Sequence, residues 1–332
     1  MTTTRRIALI GSAAVILGVG LAPAVAQADF PNQPVRVIVP FPAGGTTDVV
    51  ARIFAEHMQE TLGQPVVIEN RAGGGGSVGA DVVARAEADG HTLLFHNITF
   101  SATTTMMQFE DRALHDIAED FAPVSVAVTV PMLLLAHPSL EVGNLAEFVE
   151  LARERAEAGD PLFYGSTGPG SIMNLFGETI KLEAGIDMDH VPFPGAAPMV
   201  ADLVAGRLDF GGDQLSTSLE HARSGRLTPL AVAAGDRWDA LPDTPTVVEM
   251  GFPSLNLRGF NGFIAPAGTP DSVIETLHAA VVAAAGDPGV IARMEELGAQ
   301  PWGSTPDEFR EVLREQVEQM RPLVEQVGSA ED

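Results

Sequence analysis

Strand-like and helix-like runs alternate along most of this chain, and glycine-rich loops recur where a strand feeds a helix. That order favours α/β layers over an all-β fold. The first unit is the clearest. "VRVIV" (residues 35–39) is short, rich in β-branched residues and ended by Pro40, which reads as a strand. Beyond "PFPAGG" come Thr46, Thr47 and Asp48, residue types that open helices. Val50, Ile53, Phe54, His57, Met58 and Leu62 then recur at three- and four-residue steps, one face of a helix stopped by Gly63 and Pro65. A helix N-terminus that follows a strand presents unpaired N–H groups and the positive end of a helix dipole to one spot, which suits an anion. No Gly-Lys-Ser/Thr follows, so this is not a P-loop. A plain strand-to-helix turn carries the same local signature.

The theme returns along the chain. "PVVIEN" (65–70) reads as a strand, "RAGGGGSVG" (71–79) as a loop, and the residues up to about 88 as a helix. "TLLFHN" (92–97) is a buried-type strand, and "ITFSATT" (98–104) is expected as a polar loop beyond it. Residues 121–138 are strand-like with a proline break. Asn144 caps a helix from Leu145 to about Ala158, and residues 161–185 repeat strand, glycine-serine loop and helix. Residues 190–206 read as strand, turn and helix. A short strand at 208–210 leads into another helix, and 228–235 is a strand. Residues 259–270 are a strand running into a helix opened by Thr269 and Pro270, and two more helices start near Pro288 and Thr305. The loops at 40–48 and 165–171 thus each put a helix N-terminus at the carboxyl end of a strand, the edge where open α/β sheets bind ligands. Two lobes that each offer such an edge could clamp a small anion between them.

Arg5 and Arg6 precede an apolar run at 7–21, then Pro23 and "AVAQA" (24–28). A charged start, an apolar run and a small-residue cleavage site predict a secretory signal peptide over residues 1–28, cut after Ala26 or Ala28. The expected destination is the periplasm, by ordinary secretion or by the twin-arginine route. The apolar run is too short for a comfortable membrane span. The absence of cysteine excludes a lipid anchor on an N-terminal Cys, disulfides, thiol catalysis and Cys-ligated metals. The formal charge is −25 and Lys181 is the only lysine, which argues against nucleic acid and anionic membranes as partners. Backbone amides must therefore attract any bound anion locally, because the global field repels it.

Two sharper motifs fall in one glycine run. "GGGSVG" (74–79) fits G-x-G-x-x-G, but a dinucleotide site needs an acidic residue at the end of the next strand, near Asn97, and the loop is long for a pyrophosphate turn. "GGSVG" (75–79) fits the nucleophile elbow with Ser77, but that elbow needs Ser directly after the strand rather than after flexible glycines. The histidines form no metal signature, since His91 and His96 flank a strand, His57 lies on a helix and no H-E-x-x-H is present.

The strings "FPNQPVRVIVPFPAGGTTDVVAR", "LGQPVVIENRAGGGGSVGADVVARAEADGHTLL", "FYGSTGPGS", "HVPFPGAAPMVADLVAGRLDF", "LPDTPTVVEMGFP" and "GFIAPAGTP", in this order and spacing, resemble the Bug-type solute-binding receptors of tripartite tricarboxylate transporters. The similarity covers essentially the whole chain beyond the leader. It implies an α/β, two-lobed periplasmic-binding-protein fold of type II-like form, with a ligand cleft between the lobes and two crossing segments near 126–131 and 257–262. Lobe 1 is then residues 29–128 with 260–332, and lobe 2 is residues 129–259. The resemblance also implies that the two loops hold a ligand carboxylate through backbone amides, hydroxyls and ordered water. Carried over, the first loop is Phe41, Pro42, Ala43, Gly44, Gly45, Thr46 and Thr47, with Phe41 against the ligand's apolar part. The second is Gly165, Ser166, Thr167, Gly168 and Ser171. Asn97, Ser101 and Asp213 fall in regions that face the cleft. Asp48 and Asp213 are equally read as a helix cap and a loop brace.

The expected protein is a monomer without cofactor or metal. It captures a small organic carboxylate for one large and one small membrane subunit and does no chemistry. The alternatives are an exported serine hydrolase using Ser77 and a receptor that serves sensing rather than uptake. Three departures from the family pattern bear on ligand identity or packing. Phe193-Pro194 stands where an aromatic-Lys pair is common, "RGFNGF" lacks a frequent tryptophan, and His91 replaces a usual Tyr. Dicarboxylates, tricarboxylates, aromatic acids and uncharged relatives all stay open as ligands.

Overall fold

The computed structural model describes residues 30–331. The signal-peptide expectation therefore lies outside the described residues. The chain runs through β1 (Val35–Val39), α1 (Thr46–Leu62), β2 (Val66–Asn70), a 3-10 turn at Gly74–Gly76, α2 (Ser77–Ala84), β3 (Thr92–Asn97), α3 (Ile98–Phe109) and β4 (Phe121–Thr129). It continues with β5 (Met132–Ala136), α4 (Leu145–Glu157), β6 (Leu162–Ser166), α5 (Ile172–Ala184), β7 (Met188–Pro192), α6 (Ala196–Val204), β8 (Phe210–Gln214), α7 (Leu215–Arg223) and β9 (Thr228–Ala233). The last stretch holds β10 (Phe260–Pro266), α8 (Asp271–Ala285), α9 (Pro288–Glu296), β11 (Gln300–Pro301) and α10 (Pro306–Glu331).

These strands form two sheets, ordered β11-β4-β10-β3-β1-β2 and β7-β6-β8-β5-β9. In the first, β1 is parallel to β2 and β3, while β10 is antiparallel to β3 and β4. In the second, β6 is parallel to β7 and β8, while β5 is antiparallel to β8 and β9. The chain leaves the first sheet after Thr129, enters the second at Met132, and returns to the first at Phe260. At the hinge the Val130 N–H donates to the Gly259 C=O at 3.0 Å. A Cβ on Gly259 would lie 2.0 Å from the Val130 carbonyl oxygen, so only glycine lets the two crossing segments run side by side.

The first sheet is buried on both faces because its strands alternate large residues to either side. Phe95 packs on Phe263, which packs on Phe54 of α1. The neighbouring His96 points the other way, among Phe100, Phe260 and Phe309 of α3, β10 and α10. Fully burying one such phenylalanine contributes roughly 1.5–3 kcal/mol. Burial drives the His96 pKa down to about 3, so it is a neutral core residue.

Three elements differ from the sequence reading. The stretch expected as a polar loop at 98–104 is the start of α3. Asn97 caps it by accepting the Phe100 N–H at 3.1 Å, and Ile98, Phe100, Ala102 and Met106 supply a buried face. The strand expected at 208–210 lies later, at β8, because Gly211 and Gly212 run in a ladder against Leu135 and Leu134. Helix α2 stops at Ala84 rather than near 88. The crossing segments are also narrower than expected, since residues 126–129 and 260–262 still belong to β4 and β10.

Candidate ligand-binding cleft

The first loop leaves β1 at Pro40 and enters α1 at Thr46, with Gly44 at φ +88°, a conformation that favours glycine. Asp48 fastens it. Its carboxylate accepts the Gly44 N–H at 3.0 Å, the Asn70 amide at 2.9 Å and Arg52 Nε at 3.1 Å. Asn70 donates as well to the Phe41 carbonyl at 3.0 Å. Burial alone would raise the Asp48 pKa, but the bonds from Arg52, Gly44 and Asn70 outweigh it and hold the carboxyl below its ordinary value. The Gly44 amide is therefore already taken. The N–H groups of Thr46 and Thr47 have no hydrogen-bond partner among the described residues.

The two threonines diverge. Thr47 turns inward, and its hydroxyl oxygen accepts from Asn97 at 2.9 Å and from Asn261 at 3.3 Å. Thr46 reaches into the other sheet's territory, 3.3 Å from the Thr217 hydroxyl and 3.4 Å from the Gln214 carbonyl. The lobes meet at this seam in two further places. A Cβ on Gly195 would lie 2.7 Å from the Pro42 ring, and one on Gly170 would lie 3.3 Å from Met106.

The second loop runs from Ser166 to Ser171, which caps α5. Ser166 Oγ accepts the Gly168 N–H at 3.0 Å and lies 2.6 Å from His190 Nε2. The Gly170 N–H goes to Asn174 Oδ1 at 2.9 Å; Asn174 in turn donates to the Tyr164 hydroxyl at 3.0 Å, and Tyr164 donates to Glu178. His190 stacks on Tyr164, and burial, with Lys181 adding to it and Glu178 opposing, lowers its pKa. Gly168, at φ +108°, has its amide committed just as Gly44 has. The N–H groups of Thr167, Ile172 and Met173 have no partner among the described residues.

Asp213, next to the last residue of β8, lies at the same seam and is 9 % exposed. Thr217 donates to it, as does the Gln214 N–H, and burial pushes its pKa up to about 6. It is thus two hydrogen bonds from Thr46 of the opposite lobe.

Most residues named from the sequence gather here, namely both loops, Asn97 and Asp213. Ser101 does not. It is fully buried behind β3, and its hydroxyl lies 2.9 Å from His96 Nε2. The sequence reading missed Thr217, Asn261, Asn174 and His190. Thr217 is legible only once α7 starts at Leu215 and so places it four residues from Asp213 on the inner side. Asn261 carried a signal, a polar residue inside an otherwise apolar strand.

Ser77 does not stand in a nucleophile elbow, since six residues separate it from the end of β2. Gly73, Gly74, Gly75 and Gly76 all take positive φ, the Ser77 hydroxyl donates to the Gly74 carbonyl at 2.8 Å, and among the described residues no histidine bonds to it. An interlobe cavity of about 700 Å³ opens away from the two loops, at the β9 and β11 ends of the two sheets, beside Thr129, Pro131, Arg258 and Gly259 of the crossing segments. Both tryptophans of the chain, Trp238 and Trp302, line it. Among the described residues no helix is long and apolar enough to cross a membrane.

Residues 50–329 match the model of the tripartite tricarboxylate transporter family receptor. Protein BugT of Bordetella pertussis (strain Tohama I) is 33% identical over 329 residues, covering 99% of each chain. MatC from Rhodopseudomonas palustris with bound malate is 32% identical, with a TM-score of 0.82 over 89% of this chain and 100% of that one. Rhodopseudomonas palustris Rpa4515 with adipate is 33% identical, with a TM-score of 0.80 over 90% of this chain and 99% of that one. The chain therefore belongs to the tripartite tricarboxylate transporter receptor family and is a two-lobed solute-binding protein rather than an enzyme.

Proposed function

We propose that the seam between the lobes captures a small organic carboxylate for delivery to a tripartite membrane transporter. One observation carries this reading. Two strand-to-helix loops, one from each sheet, bring unpartnered amides to the seam at Thr46 and Thr47 and at Ile172 and Met173, and neither loop contains a Lys or Arg. Such termini hold an anion by N–H donors and helix dipoles without a neutralising cation. Malate and adipate in the two structural relatives are carboxylates of the matching chemistry. In this reading the site comprises the two loops with Asn97 and Asp213, and the lobes divide at residues 128–129 and 259–260. The protein works as an exported monomer freed of residues 1–28, with one large and one small membrane subunit as partners.

A thermal-shift screen over mono-, di- and tricarboxylates, with inorganic phosphate, sulfate and neutral sugars as controls, tests the reading. A ligand bound only by the native state raises the midpoint by mass action. The expected result is a rise with at least one carboxylate, accompanied by a change in tryptophan fluorescence, because both tryptophans line the cavity beside the hinge. A panel in which no carboxylate raises the midpoint refutes the reading, whether or not a control does.

A further inference from the structure

Asp213 is an oddity in a seam suited to anions. Its carboxylate has acceptor capacity for about four hydrogen bonds. Its donors here are the Thr217 hydroxyl and the Gln214 N–H, and no Lys, Arg or His forms an ion pair with it among the described residues. The charges on the elements around it are engaged elsewhere, Asp48 of α1 with Arg52, Gly44 and Asn70, Glu178 of α5 with Lys181, and Glu220 of α7 with Arg223. Helix α7 contributes Thr217, the start of α1 contributes Thr46 through Thr217, the paired strand β5 contributes Leu133, and α5 contributes Met173 beside Gly212. His190 of β7 bonds to Ser166 of the second loop, and burial holds it toward its neutral form. A bound carboxylate would thus share the seam with an uncompensated like charge. Two like charges at one site either avoid each other or force a proton onto one of them.

Resting on the carboxylate-receptor reading above, we propose that Asp213 selects the ligand by what it carries beside its carboxylate. Asp213 accepts a hydrogen bond from a hydroxyl or ammonium group, so the cleft prefers hydroxy- and amino-carboxylates. An unsubstituted dicarboxylate enters only together with a proton, which Asp213 takes up. Two carboxylates in contact then become one carboxylate and one carboxylic acid, and the acid donates the bond that the hydroxyl or ammonium otherwise supplies.

Matched series test this by isothermal titration. Succinate, malate and aspartate differ only by H, OH or ammonium on one carbon, and adipate and 2-aminoadipate form a longer pair. The series used is the length that binds in the thermal-shift panel. At about pH 8 the best substituted member should bind about tenfold to a hundredfold tighter than its unsubstituted parent, the range for one hydrogen bond to a charged group. Asp213→Asn should shrink that ratio to under about threefold. A bracing role alone would weaken all members alike and leave the ratio unchanged. In the unaltered protein, titrations of the unsubstituted parent in buffers of different ionisation enthalpy should show proton uptake, with affinity rising as pH falls through about 6. This second measurement needs no variant. Equal binding of parent and substituted acids at about pH 8 without proton uptake overturns the proposal, as does a ratio that survives Asp213→Asn. A panel in which no carboxylate binds refutes the receptor reading instead.

Discussion

Each lobe brings one buried carboxylate to the seam, and the two are treated in opposite ways. Asp48, at the start of α1, is surrounded by donors. Gly44, Asn70 and Arg52 all bond to it, and its carboxyl is held below the ordinary range. Asp213, at the end of β8, has one hydroxyl, one backbone N–H and no cation, and burial pushes it up to about 6. The contrast separates scaffolding from reading. Asp48 is saturated by its own lobe, so it shapes the first loop and has little left to offer a ligand. Asp213 is left short of donors, as a group is when its partner arrives from outside.

The sharpest way to break this comparison is Asp48→Ala. It strands the Gly44 N–H, leaves Arg52 bonded to Asn70 alone, and takes from the Asn70 amide one of its two acceptors, the Phe41 carbonyl being the other. Arg52 is half-exposed and recovers water, so the loss falls below that of a fully buried pair. The expected cost is about 2–3 kcal/mol in chemical denaturation, with weakened binding of every ligand. A loss under about 0.5 kcal/mol would show that the loop holds its shape without Asp48.

Asp213→Asn should move stability the other way. The folded pKa of about 6 lies above the unfolded value of 3.8. Asp213 therefore contributes stability that is fully present below about pH 4 and lost as pH rises through about 6. At about pH 8 the ionised group costs roughly 2–3 kcal/mol. Asparagine keeps the acceptor for Thr217 but adds an amide that needs a partner, so a gain of about 1–2 kcal/mol at that pH is expected, vanishing below about pH 4. Asp48 has the opposite sign, since its lowered pKa gives stability present above 3.8 and lost as pH falls below it. Asp48→Ala, followed below pH 3.8, checks the Asp48 sign, and denaturation curves of the ligand-free protein and Asp213→Asn between about pH 4 and 8 check that of Asp213. Parallel curves for the two proteins would mean that Asp213 is not an isolated buried charge.

How much of this contrast was legible in the sequence follows from range. Strand β1, the loop and α1 are local affairs of β-branched residues, glycines and a three-to-four periodicity, and the structure places them as read. Asn144 and Ser171 were legible as caps or loop ends for the same reason. Helix α3 was not. Its threonine-rich opening has low intrinsic helix preference, and what holds it is the Asn97 cap and packing beneath Phe121 and α10. Strand β8 was read too early, at 208–210, because its paired glycines carry no strand signal, while here a Cβ on Gly212 would lie 2.5 Å from the Leu133 carbonyl of the next strand. The roles of the site residues turned on partners far away in the chain. Ser101 looked cleft-facing beside Asn97 but follows the helix into the core. The amides of Gly44 and Gly168, ligand donors by the family resemblance, are taken by Asp48 and Ser166.

The finest form of the comparison lies in two adjacent hydroxyls. Thr46 and Thr47 are neighbours in the first turn of α1, yet one crosses the seam and the other stays home. Thr47→Val removes the acceptor shared by Asn97 and Asn261, both buried, so it should act on folding, at about 1–2 kcal/mol. Thr46→Val removes contacts of 3.3 and 3.4 Å that exist only while the lobes touch. Those bonds are long, and water replaces them in an open form, so the expected effect on folding is under about 0.5 kcal/mol. The closed state alone loses them, by about 0.5–1 kcal/mol, which weakens ligand binding about two- to fivefold. Valine keeps the β-branched shape at the helix start, so the change isolates the hydroxyl. Denaturation midpoints together with ligand titrations on the two variants decide the matter. If Thr46→Val lowers folding stability as much as Thr47→Val does, the contact across the seam is part of the fold and not of its closure.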